Sequence, residues 1–131
     1  MKLLLDTHIW IWSHVSPERL ARKVASALAA PGTEVWLSPI SVWEFLLLVD
    51  RKRIVLDREA EEWLDAAWAA APIQEAPLNR EVARRSRTVQ LPHEDPADRF
   101  LAATAQVYDL SLVTDDARLL KGRGFARLAN R

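Results

Sequence analysis

The chain has 131 residues, of which 50% are hydrophobic and 27% are charged, and we expect a single domain spanning residues 1–131. Its 18 basic and 18 acidic residues cancel, so any surface that binds nucleic acid must be local. The absence of cysteine excludes disulfides and thiolate metal sites. No signal peptide is recognisable, and apolar runs such as residues 45–49 are too short for a bilayer, so we expect a cytoplasmic protein without a membrane span.

The hydrophobic pattern predicts short strands that alternate with helices. Leu3–Leu5 is an unbroken apolar run, which is typical of a strand buried on both faces. Ser16-Pro17 predicts a helix start, because serine is a common N-cap and proline suits the first turn. By the same signals we expect helices at residues 17–30, 39–51, 57–71, 79–89, 95–108 and 116–120, and further strands at 34–37, 73–76, 110–114 and 125–128, the last at an edge.

This alternation predicts an α/β fold, in which helices cover both faces of a parallel sheet. In open parallel sheets, ligands bind in a crevice outside the carboxyl ends of the strands. The three glycines form no G-x-G or P-loop pattern, which argues against a glycine-rich nucleotide site. Functional side chains are therefore expected where strands end.

Two of the predicted strands end in acidic residues. Asp6 follows Leu3–Leu5, and Asp115 and Asp116 follow the strand that ends at Thr114. A single Asp at such a place is commonly a turn residue or a helix N-cap. We expect one of Asp115 and Asp116 to cap the next helix and the other to face the crevice, and we favour Asp116 for the crevice.

Glu44 lies on the helix predicted at 39–51, which is apolar around most of its circumference. Ser41 and Glu44 are three residues apart and share its polar face. A buried carboxylate is costly unless it is paired or binds a metal. Glu44 therefore either lies on a solvent-exposed stripe or joins the other acids.

The segment 93–100 contributes two more carboxylates. Asp95 precedes Pro96 and fits the N-cap position, from which it can also form an i,i+4 ion pair with Arg99. Asp98 lies in the first turn, where the helix dipole favours a negative charge. We interpret Asp95 mainly as a cap and Asp98 as functional.

Two strand ends and two helices can thus bring four carboxylates to one rim of the sheet: Asp6, Glu44, Asp98 and Asp116. Clustered carboxylates repel one another, and an all-oxygen cluster suits a hard divalent cation such as Mg²⁺ or Mn²⁺. Such an ion can polarise a phosphoryl oxygen and activate water for an in-line displacement. The spacing alone is compatible with a metal site but is not specific for one.

Four motifs carry a family resemblance. They are LLDTH ending at His8, PISVWE ending at Glu44, HEDPADRFLAATA from His93 to Ala105, and VTDD ending at Asp116. In this order and spacing the chain resembles PIN-domain proteins, in particular the toxin ribonucleases of VapC-type toxin–antitoxin pairs. The resemblance covers essentially the whole chain, and the four motifs together are far more specific than any one of them.

The resemblance implies a three-layer α/β/α sandwich with a mostly parallel five-stranded sheet, forming one PIN-like nuclease domain. It implies Mg²⁺- or Mn²⁺-dependent cleavage of RNA by a metal-activated water, leaving 5′-phosphate and 3′-hydroxyl ends, and a cognate antitoxin protein that blocks the site. The family's acidic positions, for metal binding and catalysis, match Asp6, Glu44, Asp98 and Asp116, and the secondary candidates are Asp95, Thr114, Asp115 and Thr7.

Two other functions fit the pattern less well. A catalytically inactive module on the same fold, binding RNA or protein, would tolerate changes from acid to amide, whereas four acids favour chemistry. A phosphatase of another doubly wound fold would need a second Asp two residues after Asp6, where this chain has His8. We interpret His8 and His93 as surface residues or supports of the acids rather than as metal ligands.

Two basic clusters are candidates for contact with phosphate. They are residues 51–53 and the set Arg84, Arg85 and Arg87. Such clusters are usually solvated faces, and phosphate contact is the alternative that a neutral nucleic-acid-binding domain would need.

The chain is also rich in tryptophan. Trp10 and Trp12 lie about 200° apart on a helix, so the sheet cannot bury both. Together with the apolar helix at 39–51, this predicts a partner or dimer interface, and a deeply buried helix is the alternative. With the family resemblance, we expect a homodimer and a toxin–antitoxin hetero-oligomer. We expect the more exposed of Trp10 and Trp12 to be a hot spot for the antitoxin.

Overall fold

The structure is a computed structural model that describes residues 1–131. Its five strands are all parallel and lie in the order β3-β2-β1-β4-β5. The strands are β1 (Lys2–Leu5), β2 (Glu34–Leu37), β3 (Gln74–Glu75), β4 (Ser111–Thr114) and β5 (Ala126–Ala129). The helices are α1 (Thr7–Val15), α2 (Arg22–Ala29), α3 (Pro39–Asp50), α4 (Ala60–Ala70), α5 (Arg80–Ser86), α6 (Pro96–Val107) and α7 (Ala117–Leu120).

Helices cover both faces of the sheet, and successive residues of β1 serve the two cores. Leu3 and Leu5 pack on one face with side chains from α1, α3 and α4, whereas Leu4 packs on the other with side chains from α6 and α7. Because side chains alternate along a strand, a strand buried on both faces must be apolar throughout, as Leu3–Leu5 is. The prediction of a three-layer α/β/α sandwich is confirmed.

The order of the strands reverses direction between β1 and β4. The chain leaves β1 toward β2 on one side, and it leaves β4 toward β5 on the other. Neighbouring connections that diverge in this way open a crevice at the carboxyl ends of the two strands. Asp6 follows β1 and Asp115 follows β4, so the acidic ends of both strands lie at this point.

The segment predicted as one helix at 17–30 is instead broken. A short 3-10 helix at Pro17–Arg19 ends before extended backbone at Leu20 and Ala21, and α2 then begins at Arg22. The break is held by Asn130, whose side chain accepts a hydrogen bond from the Ala21 N–H and donates one to the Arg19 carbonyl. A partner more than 100 residues away is not visible in local sequence.

The start of α4 also differs from the prediction. Asp57 does not cap it, because its carboxylate lies beside the neighbouring Arg58 side chain, and the helix begins three residues later with Glu59 at the N-cap. Other starts are as predicted: Ser38, Asn79 and Asp95 each cap a helix through a side-chain oxygen. None of the helices has both the length and the apolar character needed to cross a membrane.

Candidate active site

Asp6 lies at the junction of β1 and α1, where it is held by two neighbours. One carboxylate oxygen accepts a hydrogen bond from the Thr7 backbone N–H at 2.8 Å and caps α1. The other accepts a hydrogen bond from the Thr114 hydroxyl at 2.6 Å. The Thr114 hydroxyl oxygen in turn accepts the Asp116 N–H at 3.0 Å, so it links the ends of the two central strands.

Glu44 points toward α1 rather than into open solvent. Its carboxylate accepts a hydrogen bond from the buried Thr7 hydroxyl at 2.6 Å, and that hydroxyl lies 2.9 Å from the hydroxyl of buried Ser41. The polar face shared by Ser41 and Glu44 is therefore turned toward the end of β1. Of the two alternatives for Glu44, the structure shows the one in which it approaches the other acids.

Asp98 is the more enclosed of the two acids on α6. Its side chain is 14% exposed, and one carboxylate oxygen lies 3.4 Å from His93 Nε2 and 3.8 Å from an Arg118 guanidinium nitrogen. Asp95 is exposed and caps the helix by accepting the Asp98 N–H at 3.2 Å. The division of Asp95 as cap and Asp98 as the inward-facing acid is what the sequence predicts.

Asp116 and Asp115 do not share roles as expected. Asp116 itself caps α7, accepting the N–H groups of Arg118 and Leu119 with one oxygen, so the residue favoured for the crevice is also the cap. The expectation that one acid caps and the other faces the crevice is therefore wrong. Asp116 caps the helix with one carboxylate oxygen, and its second oxygen remains free for another partner. The Asp115 side chain is exposed and makes no hydrogen bond.

Three of the acids, Asp6, Glu44 and Asp98, have raised pKa values. Burial raises the pKa of Asp6, and the charge of Asp116 adds to the effect, against the hydrogen bonds from Thr114 and Thr7. Burial also raises the pKa of Glu44, with the charges of Asp6 and Asp95 adding to it.

Asp98 shows the strongest effect. Burial first, and then the charges of Asp6, Asp95, Asp116 and Glu44, raise the pKa of its carboxyl from 3.8 to about 7. The charges of Asp6, Asp95 and Asp116 each act on more than one of these carboxyls, so the acids form one electrostatic cluster. The guanidinium of Arg118, 3.8 Å from Asp98, does not neutralise it.

This cluster fits a divalent cation by its donor chemistry. It offers carboxylate oxygens with no sulfur and no His-rich set, which suits a hard ion such as Mg²⁺ or Mn²⁺. A cation there would offset the repulsion that raises these pKa values. As positioned, no three of the His, Asp and Glu side chains form a ready coordination set, so the acids converge on a region rather than on one point.

Arg99 does not form the expected ion pair with Asp95. Its buried guanidinium donates to the backbone carbonyls of Ser86 and Val89 at 2.7 Å each and to that of His93 at 3.1 Å. These bonds hold the loop between α5 and α6 against α6. His93 lies in this loop, so the same bonds keep it beside Asp98. A further contact is an ion pair with the exposed Glu94 at 3.9 Å. The three carbonyl partners explain why a charged residue is placed inside, and the sequence gives no signal of them.

Replacing Arg99 by Met should therefore reduce the free energy of unfolding by about 2–4 kcal/mol, since it leaves buried carbonyl groups without donors. Urea unfolding followed by tryptophan fluorescence measures the loss. The matched control is Arg84→Met, because Arg84 is 75% exposed and has only a 3.7 Å ion pair with Glu81. A loss no larger than that of the control would contradict this account of Arg99.

The tryptophans of α1 take different environments, as their angular separation predicts. Trp10 is buried against Phe45 and Trp63, whereas Trp12 is partly buried beneath the guanidinium of Arg19. The most exposed aromatic side chain is on α3: Trp43 is 55% exposed. Trp43 lies on the helix whose apolar surface is predicted from the sequence to form an interface, although the hot spot was expected at Trp10 or Trp12.

Trp43 lies in a cavity of about 580 Å³ between α3 and α6, which we call the α3–α6 groove. Its apolar lining comprises Ile40, Trp43, Leu47, Pro96, Ala97 and Phe100. Glu44 and Asp95 also line it, so the groove opens directly onto the acidic cluster. The apolar surface predicted for the helix at 39–51 is therefore exposed beside the candidate site.

The fold and the site together define a class of protein: an α/β domain with an acidic cluster at the switch point of a parallel sheet. The PIN domain family model matches residues 3–124, and the chain belongs to the PIN domain family. It is 32% identical over 124 residues to ribonuclease VapC22 of Mycobacterium tuberculosis, with 92% of each chain covered.

Solved structures share the fold at lower identity. VapBC2 from Rickettsia felis, bound to a DNA fragment from its promoter, matches with a TM-score of 0.71 at 15% identity, covering 98% of each chain. A toxin–antitoxin complex from Klebsiella pneumoniae matches with a TM-score of 0.66 at 19% identity, also covering 98% of each chain. FitAcB from Neisseria gonorrhoeae matches with a TM-score of 0.63 at 24% identity over 96% of each chain.

Proposed function

We propose that this chain is a metal-dependent endoribonuclease and the toxin of a toxin–antitoxin pair, acting in the cytoplasm as one nuclease domain of residues 1–131. The observation that carries the proposal is the convergence of Asp6, Glu44, Asp98 and Asp116, from four separate elements, at the switch point of the sheet. The relationship to a ribonuclease supports RNA as the substrate.

In this proposal the four acids hold Mg²⁺ or Mn²⁺ and are the catalytic residues. When bound, the ion supplies Lewis-acid chemistry, which lowers the pKa of water and stabilises negative charge on a phosphoryl group. The protein supplies orientation: Thr114 fixes the Asp6 carboxylate, and Thr7 fixes that of Glu44. Asp95 acts mainly as the cap that sets the first turn of α6 beneath Asp98.

Each acid must be ionised to bind a cation, and the mutual repulsion of the acids opposes this. Burial and neighbouring negative charges raise the pKa values of Asp6, Glu44 and Asp98, and a bound cation would offset both effects by stabilising the ionised carboxylates. No general-base histidine is required. His93 lies beside Asp98 and serves in this proposal to orient it.

The partner in this proposal is an antitoxin that lays apolar side chains in the α3–α6 groove. The groove joins an exposed tryptophan to the acidic cluster, so one segment can cover both. An amphipathic helix placed in an apolar groove is a recurring mode of peptide recognition. That the Klebsiella pneumoniae neighbour is a toxin–antitoxin complex supports this choice of partner. A homodimer within the toxin–antitoxin hetero-oligomer stays a prediction.

We expect the purified chain, free of antitoxin, to cleave single-stranded RNA in Mg²⁺ or Mn²⁺ and to be inactive in EDTA. Asp6→Asn should be inactive under both conditions, because it removes a carboxylate at the centre of the cluster. Gel analysis of 5′-labelled RNA with mapping of the ends measures this, and the proposed chemistry leaves 5′-phosphate and 3′-hydroxyl ends. Full activity of Asp6→Asn would favour a binding module with a contaminating nuclease.

Thermal unfolding with titrated Mn²⁺ is the control that does not depend on turnover. A cation that binds the folded state raises the melting temperature of the wild type, with a smaller rise for Asp6→Asn. An equal rise in both proteins would remove Asp6 from the metal site.

A further inference from the structure

Of the two basic clusters in the chain, one is neutralised by its neighbours. Arg84 and Arg85 lie 3.7 and 3.0 Å from Glu81, and Arg87 lies 3.3 Å from Glu94. These are surface ion pairs, which is the usual explanation of such a cluster.

The other cluster has no ion-pair partner. Arg51, Lys52 and Arg53 follow α3 and are exposed, and none of them lies within ion-pair distance of an Asp or Glu. Cations at a helix C-terminus are favoured by the helix dipole. That effect accounts for positive charge on the last turn, but not for the position of the two arginines beside the acidic cluster.

Both arginines line a cavity of about 140 Å³ between α1 and α3, which we call the basic pocket. The other polar residues that line it are Thr7, His8 and Glu44. Glu44 belongs to the acidic cluster and Thr7 donates a hydrogen bond to it, so this pocket and the site share a wall. Its volume is below the roughly 300–1,000 Å³ typical of small-molecule sites, which fits a single phosphate group better than a nucleoside.

We propose that the basic pocket binds a backbone phosphate of the RNA next to the phosphate that is cleaved. This inference rests on the proposed ribonuclease function and names how the substrate is held. Arginine suits the task, because its planar guanidinium can donate two hydrogen bonds to one phosphate. A chain with no net charge needs local cations to bind RNA. Arg51 and Arg53 are such cations, because they have no ion-pair partner and line the same cavity as Glu44.

The same geometry sets the course of the RNA. Glu44 lies between the two cavities, since it lines both the basic pocket and the α3–α6 groove. An RNA strand that places one phosphate at the acids and the next at Arg51 and Arg53 leaves the site along the α1 side of α3. The apolar groove on the α6 side then stays free for a protein segment.

The test is the binding and cleavage of a 5′-fluorescein-labelled single-stranded RNA by Arg51→Ala/Arg53→Ala. We expect KM, and the Kd measured by anisotropy in EDTA, to rise about 10- to 100-fold, with kcat changed much less, because two charge-assisted contacts to bound substrate are lost. The slope of log Kd against log salt should become shallower by about 0.7, the value for one phosphate of a single strand.

Two variants serve as controls. Arg84→Ala/Arg85→Ala removes the same charge from the paired cluster and should leave Kd near that of the wild type. Arg51→Lys/Arg53→Lys keeps the charge but loses the paired donors, so its Kd should lie between those of the wild type and the alanine variant. Equal losses for both alanine variants would overturn the proposal, since they would show an effect of net charge only.

Other outcomes separate this inference from the proposed function. If the wild type cleaves RNA and the Arg51 and Arg53 variant has unchanged KM and salt slope, the pocket proposal fails while the nuclease proposal stands. If that variant instead loses affinity for the antitoxin alone, the pocket binds an acidic protein group and the proposal is also overturned. If the wild type binds RNA through these residues but never cleaves it, the nuclease proposal fails and the phosphate pocket stands.

Discussion

Replacing Asp98 by asparagine is expected to lower the rate of RNA cleavage by at least about 100-fold and, at pH 8 without divalent cations, to raise the free energy of unfolding by about 1–3 kcal/mol. The loss of activity follows from removal of a proposed metal ligand. Substitution of a residue that only hydrogen-bonds a metal ligand already lowers activity by up to about 100-fold. The gain in stability follows from removal of a buried charge among other acids.

The direction of the pH effect follows from the raised pKa of Asp98. Its carboxyl has a pKa of about 7 in the folded protein against 3.8 for the ordinary group, so the folded state binds more protons between these values. Stability of the metal-free wild type therefore falls as the pH rises through this range and is lowest above about 7. Asp98→Asn lacks this dependence, so its advantage should be small near pH 4 and largest above pH 7.

Urea unfolding in EDTA at pH 5, 6, 7 and 8 measures both proteins. Asn cannot reproduce the ion pair of Asp98 with Arg118 or the contact of its carboxylate with His93 Nε2, which is why the expected gain is smaller than the pKa shift alone implies. The matched control is Asp115→Asn, the same substitution at an exposed acid, for which neither activity nor stability should change much. The account fails if Asp98→Asn is less stable than the wild type at pH 8, or if it cleaves RNA at the wild-type rate.

Asp95→Asn separates capping from chemistry on the same turn. Asparagine also caps helices, so this variant should keep much of the stability and much of the activity of the wild type. An inactive Asp95→Asn beside an active Asp98→Asn would reverse the roles assigned to these two acids.

The fold was predictable because its signals are local. Leu3–Leu5 is a short apolar run, and Leu112 and Val113 form the apolar centre of β4. Serine, asparagine or aspartate stands before α3, α5 and α6. The ends of two such strands place Asp6 and Asp116 at one rim without any knowledge of side-chain positions. The broken helix after Ser16 was missed because its cause, Asn130, lies at the other end of the chain.

The candidate site was predictable in its acids but not in what holds them. The four carboxylates stand out together, because the fold brings two strand ends, a helix first turn and one polar position of an apolar helix to the same rim of the sheet. The hydroxyl of Thr7 joins Glu44 to α1, and Thr114 joins Asp6 to β4, and both contacts depend on how elements pack. Arg99 shows most clearly what local sequence cannot predict. Its spacing from Asp95 predicted an ion pair on the surface, whereas its side chain is buried and donates to three backbone carbonyls of the preceding segment.

The aromatic pattern predicted a protein interface on α1 and α3 but did not single out Trp43, which is the most exposed aromatic side chain. The angular argument that separates Trp10 from Trp12 holds, yet Trp12 is covered in part by Arg19. On α3 only Ser41 and Phe45 are fully buried, so the helix exposes part of its apolar surface around Trp43. We therefore propose that the interface is centred on the α3–α6 groove.

Truncation of Trp43 to alanine is therefore expected to weaken antitoxin binding about 30-fold or more, which corresponds to about 2 kcal/mol. Trp43 presents a large, half-exposed ring in an apolar groove, and such rings are common hot spots. RNA cleavage by the free variant should be retained, because the ring makes no hydrogen bond to the acids and lies on the opposite side of Glu44 from the basic pocket. The binding partner for the titration is the product of the reading frame adjacent to that of this chain, measured by calorimetry.

Trp12→Ala is the matched comparison, since it removes the same side chain from α1 and tests the expectation drawn from sequence alone. If Trp12→Ala weakens binding and Trp43→Ala does not, the antitoxin covers α1, and the groove between α3 and α6 is not its site. If Trp43→Ala lowers cleavage while binding holds, the ring supports the RNA rather than the partner. A loss of binding confined to Trp43→Ala, with cleavage intact, places the antitoxin in the groove that opens onto the four acids, where one bound segment can cover both the apolar surface and the catalytic cluster.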